Sequence, residues 1–128
     1  MDKRDERIFM NEIQAQQFNS GDRVIRRDTK DRAIFMVLEG EFFAFDADPG
    51  ANSSIYKAGA VIGIDQFLKD DYWELDLISK KKDSVIGKFD FSTFKNLKES
   101  QPAAAIRIYN RIIRAKSFEL LQIKKGSN

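Results

Sequence analysis

Apolar residues change their spacing twice along this chain. Between Asp2 and Glu12, Ile8 and Phe9, with Ile13 just beyond, sit among charges at helix-compatible intervals, which predicts a short N-terminal helix. From about Gln14 to Phe89 the apolar residues fall into short runs. Turn chemistry separates them at Asn19-Ser20-Gly21-Asp22, Asp28-Thr29-Lys30-Asp31, Glu39-Gly40, Asp46 to Ser53 and Lys57-Ala58-Gly59. Ala33 to Leu38 (AIFMVL) reads as a strand buried on both faces, because it is short, β-branched and aromatic, and closed at its ends by charge or Gly.

After Gly40, the run Glu41 to Asp46 puts Phe43 and Phe45 on one face and Phe42 on the other, and Asp48-Pro49-Gly50 supplies a turn. Leu75, Leu77 and Ile78 around Asp76 predict another strand, and Val85 to Phe89 the last. Short strands at this density indicate a mainly β domain, a sandwich or a barrel-like β-roll of the double-stranded β-helix or jelly-roll kind. The spacing then becomes helical. Phe91, Phe94 and Leu97 lie on one face, and Ser100-Gln101-Pro102 reads as a second helix start, with Ser100 as the capping hydroxyl and Pro102 in the first turn. No Gly or Pro interrupts the chain from there to about Lys124, so a helix of roughly 34 Å is expected.

Composition narrows the chemistry. The 128 residues contain no Cys and no His, which removes thiol nucleophiles, imidazole bases and thiolate or imidazole zinc sites. Charge is nearly balanced at +2, and 42% of residues are hydrophobic against 33% charged, which fits a globular chain and gives no overall case for nucleic acid. No run is long enough for a membrane span, and the charged start lacks the apolar core of a signal peptide, so a cytoplasmic protein is expected. The expected organisation is one domain over 1–128: an N-terminal helix over 1–13, a β-roll over 14–90 and C-terminal helices over 91–125.

The order of these elements resembles the cyclic-nucleotide-binding domain of catabolite-activator-type regulators, cyclic-nucleotide-dependent kinase regulatory subunits and gated channels. Phe18-Asn19-Ser20-Gly21-Asp22-Arg23-Val24-Ile25 is similar to the family's opening motif, and Ala33 to Glu41 to its strand-and-Gly signature. Lys57-Ala58-Gly59-Ala60-Val61-Ile62-Gly63 is similar to its Gly-x-x-Phe/Ile-Gly run, and Phe94 matches the helix after the last strand. Gly21 and Gly40 sit where chain reversal calls for φ > 0, while Gly59 and Gly63 bracket a loop whose N–H groups could face an anion.

The resemblance breaks at the ligand site. The family continues with a Glu for the ribose hydroxyl, a short helix whose N-terminus receives the cyclic phosphate, and an Arg that pairs with that phosphate. Here Ile64 stands at the Glu position, and Trp73 or Glu74 falls near the Arg position. The intervening acids Asp70, Asp71, Glu74 and Asp76 would repel a phosphate. Cyclic-nucleotide binding in the usual mode is therefore not expected. The candidate residues of this altered pocket are Val61, Ile62, Gly63, Ile64, Asp65, Gln66, Phe67, Trp73 and Glu74. Either Ile64, Phe67 and Trp73 fill the cavity from within, or they line a pocket for another ligand.

No catalytic constellation, cofactor motif or metal site is read from the sequence. The acids between Asp65 and Asp76 lack EF-hand spacing, and Lys80-Lys81-Lys82 reads as a solvated hairpin tip. On the last helix Arg107, Arg111 and Arg114 form a basic stripe beside a wide apolar arc. A protein partner or a second copy is expected there, with Tyr109, Ile112, Ile113, Phe118 and Leu121 as candidate contacts. Nothing in the sequence matches the DNA-reading segment of the bacterial regulators. Two functions are thus open: a non-enzymatic regulatory or scaffolding module acting by protein–protein interaction, or a small-molecule sensor that signals through the C-terminal helix.

Overall fold

A computed structural model describes residues 3–46 and 54–126, with side chains for 3–45 and 54–115. The expected turn at Asp48-Pro49-Gly50 lies outside the described residues. Residues Gln14–Asp90 form one compact unit, and the helical segments before and after it form another.

In the first unit, the described residues form eight strands in two antiparallel sheets. One has the order β1 (Gln14–Phe18), β8 (Ser84–Asp90), β3 (Ala33–Glu39), β6 (Val61–Ile62); the other β2 (Arg23–Ile25), β7 (Leu75–Ser79), β4 (Glu41–Asp46), β5 (Ser54–Lys57). Alternation on the pleat sends Phe35 and Val37 of the first sheet, and Phe42, Ala44 and Leu77 of the second, into one shared core. Phe18 and Phe42 meet edge to face across it at 6.2 Å. The AIFMVL strand is buried on both faces, as its composition predicts. Ile34 is buried on the face opposite Phe35 and pairs in register with Phe89, whose ring lies 5.9 Å from that of Phe67. Phe67 comes from α2 (Ile64–Lys69), which connects β6 toward β7. Gly21 and Gly40 take φ of 89° and 80°, the left-handed turns expected of them.

The second unit holds α1 (Lys3–Glu12), α3 (Phe91–Ser100) and α4 (Pro102–Gly126). Phe9, Phe94, Leu97, Ala105 and Ile108 are buried in it, and the Phe94 ring sits 5.5 Å from that of Tyr109. Asp5 is also buried, and both its oxygens accept from Arg107, from Nε at 2.7 Å and from Nη2 at 2.9 Å. This bidentate pair ties α1 to α4 and holds the Asp5 carboxyl below the usual carboxylate range. One sequence expectation changes here. Ser100 does not cap α4; its hydroxyl donates back to the Leu97 carbonyl of α3, and Gln101 supplies the carbonyl that accepts the Ala105 N–H. With Pro102 lacking an N–H, the helix start needs one capping group fewer.

Candidate functional site

Helix α2 begins at Gly63, whose φ of 97° and ψ of 21° turn the chain sharply out of β6. The Gly63 carbonyl accepts the Phe67 N–H at 3.0 Å, the first bond of the helix. The apolar stripe of α2 faces inward: Ile64 is buried and Phe67 is 0% exposed. A Cβ on Gly63 would meet the indole Cη2 of Trp73 and would lie 2.8 Å from the Ala33 carbonyl oxygen. Trp73 therefore lies directly on the residue that opens α2.

Three hydrogen bonds fix Trp73 to the 28–31 turn. Its N–H donates to the Thr29 carbonyl at 2.9 Å, its carbonyl accepts from Asp28 N–H at 2.8 Å, and its indole Nε1–H donates to the Asp31 carbonyl at 3.1 Å. The ring meets Phe35 edge to face at 5.7 Å and is 1% exposed. A buried indole costs little when its one polar atom is satisfied and its apolar area is covered, and both conditions hold here. Lys30 also bridges to Tyr72 as an isolated antiparallel pair, with its ammonium 4.9 Å from the Tyr72 ring.

Arg32 follows that turn directly, just before β3, and the sequence did not mark it out. Its Nε donates to the Phe67 carbonyl at 2.7 Å and Nη2 to the Leu68 carbonyl at 3.3 Å. The guanidinium thus covers the carbonyl end of α2, where a cation is favoured, rather than the amide end where an anion would sit. This pairing runs between residues 35 and 36 apart in sequence, so no local motif announces it.

In the loop between Gly59 and Gly63, two backbone N–H groups are already taken up within the protein. Gly59 N–H donates to the Val37 carbonyl at 2.9 Å and Ala60 N–H to the Lys57 carbonyl at 3.0 Å. Of the other candidate residues, Ile62 is buried, Asp65 and Gln66 are half-buried, and Val61 and Glu74 are exposed. Among the described residues no group of acids could hold a metal ion. Asp76 instead accepts from the Arg27 N–H at 3.0 Å and pairs with the Arg27 side chain at 3.5 Å. Two of the three lysines at 80–82 are engaged as well, since Lys80 and Lys81 pair with Glu41 and depress its pKa, the Lys81 hydrogen bond being the main cause.

On α4, Ile112 is buried, Tyr109 is half-buried and Ile113 is exposed, while Ile106 is the more exposed of the two outward isoleucines. Phe118 and Leu121 lie among residues whose side chains are outside the described set. No described helix is long and apolar enough to cross a membrane.

The fold is that of the cyclic-nucleotide-binding domain. The chain is similar to the Thermus thermophilus catabolite activator protein, at 14% identity and TM-score 0.70, over 99% of this chain and 61% of that one. It is similar to a cyclic nucleotide-binding domain from Methylobacillus flagellatus at 11% identity and TM-score 0.76, over 100% of this chain and 75% of that one. It is also similar to the regulatory subunit of a cAMP-independent protein kinase A from Trypanosoma brucei, at 20% identity and TM-score 0.66, over 97% and 45% of the two chains. The chain thus spans less than two thirds of the catabolite activator protein's length. No family model and no curated protein matches the sequence. At these identities the likeness is one of fold.

Proposed function

We propose that this chain is a non-enzymatic regulatory or scaffolding module in which the usual cyclic-nucleotide site is filled from within, and that it acts through protein–protein contact. The observation that carries this reading is Trp73, buried and hydrogen-bonded, with its indole on Gly63. The resemblance puts the cyclic phosphate at the start of α2 and an Arg near Trp73 or Glu74. Ile64 replaces the Glu that would hold the ribose, and its alkyl group accepts no hydrogen bond.

To admit a phosphate at Gly63 the indole would have to leave its contacts with Phe35 and the Asp31 carbonyl. Emptying a well-packed aromatic site costs about 3 to 5 kcal/mol, equivalent to a loss of roughly two to four decades in affinity. The nearby cation does not offset this, because Arg32 is held by the Phe67 and Leu68 carbonyls at the far end of α2. A regulatory role without the usual ligand has a counterpart in the fold, since one structural neighbour is the regulatory subunit of a cAMP-independent kinase.

Calorimetric titration with cAMP and cGMP tests the proposal. No binding heat is expected into the millimolar range. Micromolar binding of either nucleotide would overturn it in favour of the sensor reading.

A further inference from the structure

Helix α4 carries a line of exposed residues along one face. Ala103, Ile106, Asn110 and Ile113 are all exposed, at intervals of three, four and three residues. Such spacing makes one continuous line down a helix, the a and d positions of a heptad, with Ala103 and Asn110 at a and Ile106 and Ile113 at d. The opposite side is already used: Ala105 and Ile108 are both 0% exposed, and Ala104 and Ile112 are also buried. Ile106 at 58% and Ile113 at 41% exposure are therefore apolar side chains on a face separate from the one that builds the helical unit.

The flank of this seam has one sign of charge. Arg107 and Arg114 hold the e positions and Arg111 lies beside them, all exposed, while no acidic residue occurs between Pro102 and Ala115. Flanking e and g charges decide which helix pairs with which. Paired with the same stretch of a second copy, the 102–115 seam finds no complement. In a parallel pair Arg114 would meet Tyr109 of the other copy, and in an antiparallel pair arginine would meet arginine. Asp5 compensates Arg107 alone, through its bidentate pair.

From this we infer that the seam docks an amphipathic helix of a different protein, one with an apolar stripe bordered by Asp or Glu. The inference deepens the proposed function by naming its partner class, and it rests on the reading that the output passes through protein contact. An apolar stripe fills against Ile106 and Ile113, and carboxylates pair with Arg111 and Arg114. Asn110 in the middle of the seam favours one register, since it needs a polar group opposite it.

The test uses the full chain and two helical probe peptides with Leu along the seam, one flanked by Glu and one by Lys. By fluorescence anisotropy the Glu peptide is expected to bind, more weakly as salt rises, and the Lys peptide to bind at least roughly tenfold more weakly. The double variant R111E/R114E changes exposed residues and should keep its melting temperature while reversing the preference. Ile106→Asp should abolish binding of both peptides. Equal binding of the two peptides, binding of neither, an unchanged preference in R111E/R114E, or self-association through Ile106 in sedimentation would each overturn the inference. Nucleotide binding alongside an intact peptide preference would sink only the closed-site reading. Loss of the preference without nucleotide binding would sink only this one.

Discussion

The indole of Trp73 rests against Gly63 closely enough that residue 63 has no room for a Cβ. The two residues are ten positions apart in sequence and meet at the start of α2. One consequence concerns glycine itself. Gly59 and Gly63 have nearly the same backbone, φ of 95° and 97°, but a Cβ at Gly59 would enter open space. Gly59→Ala should therefore cost only the left-handed backbone term, about 1 to 2 kcal/mol. Gly63→Ala adds overlap with the indole and the Ala33 carbonyl, and should cost about 1 to 3 kcal/mol more. Urea unfolding of the two variants compares them directly.

Trp73 is the only tryptophan of the chain, so its fluorescence reports this site alone. Blue-shifted emission that resists iodide quenching is expected, unchanged by cAMP or cGMP. Trp73→Ala should destabilise the chain by about 3 to 5 kcal/mol in urea. Free indole added to that variant should raise its melting temperature and leave the parent unchanged, since only the variant has a vacancy that binding can fill.

Arg32→Ala should lower stability by about 1 to 2 kcal/mol, because the Phe67 and Leu68 carbonyls at the end of α2 lose their charged donor. Hydrogen exchange in the 66–70 segment should rise with it. Binding of cAMP or cGMP should stay undetectable in this variant, as in the parent.

The Asp5–Arg107 pair predicts a pH dependence with a definite sign. The folded-state pKa of Asp5 is depressed from its ordinary 3.8, chiefly by the Arg107 hydrogen bond. Its stabilisation is complete above the unfolded value and is lost as pH falls below it toward the folded pKa. Thermal melts from pH 7 to pH 2 should show this loss below about pH 4. Asp5→Asn should melt lower than the parent at neutral pH, and the difference should narrow in acid.

Much of the β-roll was legible because its signals are local. AIFMVL is a doubly buried strand by composition, and EFFAFD sends Phe42 inward and exposes Phe45 by simple alternation. Ile64 could likewise be set apart as an alkyl group where the family it resembles carries a Glu. Ser100 shows where local reading fails. A hydroxyl beside Gln101-Pro102 fits a cap, yet the end of α3 offers it the Leu97 carbonyl at 3.4 Å.

The sequence by itself determined the order of elements, the lack of Cys and His, and, against the family it resembles, the departures at Ile64 and at Trp73 or Glu74. Each depends on residue type and spacing over a few positions. Tertiary structure alone decided where Trp73 and Arg32 point. Their partners lie 35 to 42 residues away across the sheet, in the Asp31 carbonyl and the Phe67 and Leu68 carbonyls. It also separated Ile112 from Ile106 and Ile113, for all three are equally apolar in sequence. Only the helix's actual rotation buries the first and leaves the other two, beside a wholly basic flank, facing outward.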